Sequence, residues 1–188
     1  MESIRVDMKK MYNFLFVFIL SLGANAQKTH LFPQMSTNKL DDQIVVLPDQ
    51  IKGKYSLLGL AYSKEAELEL ATWYQPVYET FIHKDKGGVF ETESYDIHLF
   101  LIPMFTGVNQ MAHSKVSKEM KEKMDKTLWP YILLYKGDLK NYKDNLAMDK
   151  KEHPYFYVLN KKGEIVYKTF GRFSEDKLEQ IEKVINGN

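Results

Sequence analysis

Residues 153–171 read HPYFYVLNKKGEIVYKTFG. Two runs rich in aromatic and β-branched residues, Tyr155 to Leu159 and Glu164 to Phe170, flank Asn160-Lys161-Lys162-Gly163. Gly163 falls where a tight turn calls for positive φ, so the stretch predicts a β-hairpin. Pro154 opens its first strand, a position where a missing N–H removes no ladder bond. Gly171 breaks the second strand. Ser174 then caps a last helix, with Glu175 and Asp176 in its first turn and Leu178, Ile181, Val184 and Ile185 as its buried stripe.

Upstream, Tyr55 to Tyr62 (YSLLGLAY) is a continuous apolar run of the kind a fully buried strand needs. A helix follows directly, with Ser63 as N-cap and Glu65 and Glu67 where the helix dipole favours acids. Leu70, Trp73, Tyr74, Val77, Tyr78 and Phe81 recur at three- and four-residue steps, which places one aromatic face on a sheet. Pro76 is expected to kink this helix, since an interior proline removes a hydrogen bond. A charged connection, Asp85 to Glu93, leads to a second buried strand, Tyr95 to Ile102 (YDIHLFLI), stopped by Pro103. Strand, helix, strand is a right-handed crossover unit. Thr106 to Lys126 is polar and helical in its second half, with Val116, Met120 and Met124 on one side. Tyr131 to Tyr135 (YILLY) is a third strand and Asp138 to Met148 a charged connection. Before all of this, 27–42 reads as a polar N-terminal arm and Gln43 to Leu47 as a short strand ended by Pro48, so the domain is expected over 43–188.

This order resembles the thioredoxin superfamily. The resemblance rests on the buried strand running into a helix at Ser63, on Pro76 within that helix, on the X-Pro entry at His153-Pro154, and on the Leu159-Asn160-Lys161-Lys162-Gly163-Glu164-Ile165 turn. It covers about residues 43 to 186 and implies an α/β fold, a thioredoxin-like three-layer α/β/α sandwich with a central mixed sheet. The YILLY strand and the charged connection after it are similar to the mitochondrial ATP synthase assembly factors, whose thioredoxin-like domains lack the redox pair. This chain has no cysteine. Dithiol chemistry, disulfides, a peroxidatic thiol and a thiolate metal site are therefore excluded.

The N-terminus carries a separate signal. Met8-Lys9-Lys10 supplies a positive region, Phe14 to Leu22 an apolar one, and Ala24-Asn25-Ala26 a small-residue cleavage pattern before Gln27. Residues 1–26 thus read as a signal peptide, with Met1 and Met8 as alternative starts and Met1 to Asp7 as an upstream extension, and the protein is expected to be extracytoplasmic, periplasmic or secreted. A run of nine residues, apolar but for Ser21, is short of the roughly 18 to 20 that span a bilayer, so no stable membrane anchor is expected. Removing Arg5, Lys9 and Lys10 with Glu2 and Asp7 takes the formal charge from +1 to zero. That balance suggests neither a nucleic acid nor an anionic surface as partner.

In redox members of the superfamily the Cys-x-x-Cys pair stands where the first crossover helix begins, and the matching segment is Ser63-Lys64-Glu65-Ala66. No activating His or Asp lies near Ser63 in sequence, and capping accounts for it. The resemblance also implies a cis proline facing that segment, so the His153-Pro154 bond is expected to be cis. Met104 and Phe105, at the carboxyl end of the second strand, either line an apolar cleft with Trp73 or Tyr62 or pack into the core. His30, His83, His98, His113 and His153 show no zinc-site spacing, and no metal or cofactor is called for. The resulting expectation is a non-redox binding module that holds a protein or peptide partner at an edge formed by Ser63, Lys64, Met104, Phe105, His153 and Pro154. The alternatives are a cysteine-free enzyme using His153 or His113 as a base, and an accessory domain of an envelope complex.

Overall fold

A computed structural model of the chain describes residues 30–82 and 95–187. The expected signal segment 1–26, His83 and the connection Asp85 to Glu93 lie outside the described residues. The strands are β1 (His30–Leu31), β2 (Met35–Lys39), β3 (Ile44–Leu47), β4 (Tyr55–Ala61), β5 (Ile97–Thr106), β6 (Leu133–Gly137), β7 (Tyr155–Leu159) and β8 (Glu164–Phe170). The helices are α1 (Lys64–Ala71), α2 (Tyr74–Phe81), α3 (His113–Lys123), α4 (Lys140–Leu146) and α5 (Glu175–Asn186), with short 3₁₀ segments at Asp49–Ile51, Gly107–Ala112 and Lys126–Tyr131.

All eight strands join one mixed sheet in the order β1-β8-β7-β4-β5-β6-β2-β3. β4 runs parallel to β5 from Tyr55↔Ile97 to Ala61↔Pro103, and antiparallel to β7 from Ser56↔Leu159 to Leu60↔Tyr155. The run β5-β4-β7-β8 is the arrangement that the resemblance implies. The two faces of β4 divide the core. Leu58 and Leu60 face a cluster with Met35, Ile102, Tyr142, Leu146 and Tyr157, whereas Leu57 and Ala61 join Leu70, Trp73, Val77, Phe81, Phe156, Leu178 and Ile181. Residues of α1, α2 and α5 therefore cover one face, and α4 helps cover the other. Burial on both faces is what a continuous apolar strand such as YSLLGLA requires.

The structure departs from the sequence reading at several points. The arm 27–42 is not loose where it is described: β2 pairs antiparallel with β3 and with the outer side of β6, and Met35 is fully buried. A buried alternate stripe is what gives a polar segment its place in a sheet, and Thr37 succeeds at a buried position because its hydroxyl donates to the Val45 carbonyl at 2.8 Å. Pro76 does not kink a long helix. The chain breaks at Thr72–Trp73 instead, and Pro76 lies in the first turn of α2, where its missing N–H leaves no intrahelical bond unmade. Pro103 does not stop β5. It sits where the β4 ladder ends, and the strand continues against β6 from Met104↔Tyr135 to Thr106↔Gly137. The third strand begins at Leu133 because Lys126–Tyr131, with Pro130 inside it, forms a 3₁₀ turn, and the charged connection after it contains α4. The cis peptide among the described residues is Leu47-Pro48; His153-Pro154 is trans, and Pro154 enters β7 with its carbonyl accepting from the Gly171 amide at 2.8 Å.

Gly59 lies at the centre of β4. A Cβ there would stand 2.6 Å from Phe156 Cε1, 2.9 Å from Leu101 Cδ2 and 3.1 Å from Leu70 Cδ1, all on the face covered by α1. Gly59→Ala is predicted to destabilise the protein by about 1–3 kcal/mol through overpacking. The urea midpoint measures this, with an unchanged midpoint contradicting the packing described.

Candidate functional site

The start of α1 is the position that the thioredoxin-like resemblance matches to the dithiol of redox members of that superfamily. Ser63 is extended (φ −140°, ψ 163°), and its Oγ accepts from the Ala66 amide at 3.1 Å, a standard N-cap. The same hydroxyl donates to the Lys151 carbonyl at 2.6 Å. Both its donor and an acceptor site are thus used, which leaves no activated nucleophile at Ser63. Hydrogen bonding to its own amide and to Ser63 holds the Glu65 carboxyl below its usual value, while burial pushes Glu67 up.

Opposite α1 runs the segment from Leu146 to His153, and side chains from the sheet hold it almost residue by residue. The Tyr157 hydroxyl donates to the Leu146 carbonyl at 3.0 Å, and Lys168 Nζ donates to the Leu146 and Ala147 carbonyls at 2.6 and 2.8 Å. Tyr62 donates to the Met148 carbonyl at 2.7 Å, and the Lys150 amide donates to the Tyr155 hydroxyl at 2.7 Å. Lys168 Nζ also stands 5.0 Å and 5.6 Å from the Tyr155 and Tyr157 ring centres. Burial lowers the Lys168 pKa, opposed by Asp149. Burial raises the Tyr62 hydroxyl to about 12 and pushes Tyr157 up in the same direction.

The expected edge residues divide sharply. Lys64 is exposed, and Ser63 and His153 are half-buried at the surface. Met104 and Phe105 are 2% and 4% exposed and face opposite sides of the sheet, Met104 among Tyr62 and Tyr135 and Phe105 with Trp73, so they line no common cleft. Strand alternation forces this, because adjacent residues of β5 point to opposite faces. Pro154 is buried at the entry of β7.

His153 Nδ1 lies 2.7 Å from Glu69 Oε2, which ties the β7 entry to the middle of α1. Its ring is 5.9 Å from Phe170, a residue 41% exposed that also carries Lys150 Nζ 4.7 Å from its centroid. The sequence reading did not single out Glu69, Lys150 or Phe170. The alternation of β8 puts Phe170 on one face with Lys168, but no sequence spacing links either to Glu69 or Lys150. His113 packs edge-on against Phe105 at 5.2 Å, its buried Nε2 without a partner and its pKa lowered by burial and by Lys136. That setting leaves it unsuited to act as an accessible base. Burial also lowers His98, stacked 6.1 Å from Phe100, and His30 lies in β1. Among the described residues no three acidic or histidine side chains converge as metal ligands.

A family profile described as ATP10 protein matches residues 23–187. The chain belongs to the ATP10 protein family. Membership agrees with the likeness to the ATP synthase assembly factors read from YILLY and the connection beyond it. No curated protein matches the chain. Among solved structures, this ATP10-family chain is similar to yeast Sco1 (TM-score 0.52, 15% identity, covering 86% of this chain and 97% of that one). It is similar to BsSco, a member of the Sco family of cytochrome c oxidase assembly proteins (TM-score 0.55, 9% identity, 86% and 96%). It is similar also to a DsbF homologue from Corynebacterium diphtheriae (TM-score 0.53, 14% identity, 85% and 89%). These likenesses show the thioredoxin-like fold, held here by a chain without cysteine.

Tyr62 offers a direct probe of the strapped segment. Its hydroxyl is raised in the folded state from an ordinary value of 10.0 to about 12, so its contribution is complete below pH 10 and is lost as pH climbs through that interval. Tyr62→Phe, which leaves the Met148 carbonyl unpaired, is expected to cost about 1–3 kcal/mol near neutral pH. Urea midpoints followed upward from pH 10 should fall less steeply for the variant than for the parent; parallel curves would contradict the assignment.

Proposed function

We propose that this protein is a non-redox binding module that assists the assembly of a protein complex, working outside the cytoplasm after its N-terminal segment is removed. The observation that carries the reading is family membership combined with a dithiol position that has been closed by hydrogen bonds. Where a redox relative holds a reactive thiol, this chain has a capping serine bonded across to Lys151. The apolar run Phe14 to Leu22 and the Ala24-Asn25-Ala26 pattern support the extracytoplasmic setting.

The contact face proposed for the partner is smaller than the sequence suggested. It consists of Lys64, the His153–Glu69 pair and Phe170 with Lys150 above it, since Met104, Phe105 and Pro154 are buried. An exposed aromatic ring beside cations suits a protein partner that offers an apolar contact flanked by acidic groups. The geometry also gives a second reading one foothold: Glu69 orients His153, as an acid orients a catalytic base. That reading places no nucleophile or substrate next to the ring, and turnover abolished by His153→Ala would be its signature.

The test is in-cell crosslinking followed by purification of the tagged protein, comparing the parent with a Lys64→Ala, His153→Ala, Phe170→Ala triple variant. One reproducible partner captured by the parent and reduced about tenfold or more in the variant is expected, the scale of a contact that loses a central anchor. An identical set of partners in both would overturn the assigned face.

A further inference from the structure

The two most exposed large apolar side chains among the described residues stand in one 3₁₀ turn. Val108 is 87% exposed and Met111 91%, and the next, Leu68, is 67%. In a 3₁₀ turn residues i and i+3 eclipse each other, so these two side chains stack on the same side of Gly107–Ala112. Soluble surfaces scatter single apolar residues, but two nearly naked ones on the same turn make a convex tip.

The tip is rigidly founded. Gly107 takes φ +54° at the corner where β5 ends, a conformation open to glycine. Gln110 Nε2 donates to the Gly137 carbonyl at 3.1 Å, which fastens the turn to the end of β6. His113, the first residue of α3, lies on Phe105. Val108 and Met111 are therefore presented by the core rather than carried on a free loop.

The helix that continues the turn is basic. Lys115 and Lys118 are 80% and 79% exposed, and α3 carries Lys115, Lys118, Lys121 and Lys123 against Glu119 and Glu122. Lys115–Glu119 and Lys118–Glu122 are separated by 3.9 and 4.0 Å, at the outer limit of an ion pair, so both ammonium groups remain available to solvent. Lys115 follows Met111 by four residues, which continues the exposed stripe from the apolar tip onto the lysines. The near-zero charge of the whole chain hides this local arrangement.

The geometry points to a peripheral membrane contact: Val108 and Met111 enter the interfacial region of an anionic bilayer, and Lys115 and Lys118 engage its headgroups. A protruding apolar pair beside flexible cations matches an interface whose apolar layer lies beneath a negatively charged one. A protein pocket, being concave, would also accept a protruding pair and is the competing occupant; the exposed, loosely paired Lys115 and Lys118 beside the pair favour the anionic surface. The inference is independent of the partner-binding face, and either can fail alone.

The test is flotation of the chain from Gln27 onward, which holds every described element and lacks the apolar run Phe14 to Leu22, with mixed phosphatidylglycerol–phosphatidylcholine vesicles. Phosphatidylcholine vesicles serve as the comparison. Partition onto the anionic vesicles is expected to fall about tenfold in Val108→Asn, Met111→Asn, and to fall with added salt and in Lys115→Gln, Lys118→Gln. Ile44→Asn, at an exposed apolar site on the edge strand β3, should leave it unchanged. Circular dichroism and urea midpoints confirm that these surface variants fold. Absence of partition by the parent, or partition indifferent to both pairs, overturns the proposal. A photo-crosslinker at position 111 that yields protein adducts without lipid adducts in cells would also overturn it and assign the tip to a protein.

Discussion

The structure turns on how the chain between α4 and β7 is fastened to the sheet. From Leu146 to Lys151, backbone groups find partners in Tyr62, Ser63, Tyr155, Tyr157 and Lys168. Each tyrosine spends its ring on the core and its hydroxyl on the segment above, so a single side chain contributes apolar burial and removes the cost of an unpaired peptide group. Lys168 works the same way with a cation, its ammonium divided between two carbonyls and two aromatic faces. Without these bonds the segment would leave several peptide groups unpaired against an apolar sheet.

This fastening also decides the chemistry. In a thioredoxin-like fold the end of the sheet beside the first crossover helix is where a reactive group has both a helix N-terminus and access to a partner. Here the helix start is capped by Ser63, and the segment facing it is bonded to that same hydroxyl. What remains at the surface is charge and one half-exposed aromatic ring, the materials of recognition. The likeness to Sco proteins shows that this frame keeps its shape in a chain without cysteine.

Much of the fold was legible because its signals were local. The buried strand YSLLGLAY, the Ser63 cap, the Gly163 turn and the stripe Leu178, Ile181, Val184 and Ile185 each report their own surroundings; the structure ends the strand at Ala61 and leaves Val184 and Ile185 only partly buried. The errors arose where position in the sheet overrides local character. Met35–Lys39 looks polar, yet pairing on both sides makes it a strand; Pro103 looks like a stop, yet it falls where one ladder ends and the next begins. The site was harder for the same reason. Phe170, Glu69 and Lys150 meet His153 only through tertiary contact, and nothing in their spacing announces it. Met104 and Phe105 were sought at a cleft because they end a parallel strand, but alternation sends them to opposite faces of the core.

The measurement that tests the account most directly is amide hydrogen exchange across residues 146–153 in the native protein. The amides of Ala147 and Met148 donate to the Lys143 carbonyl, and that of Lys150 to the Tyr155 hydroxyl. The fastening described here predicts that these amides exchange slowly, opening together with the strand β7. Exchange at the rate of an open surface loop, while β7 stays protected, would contradict it.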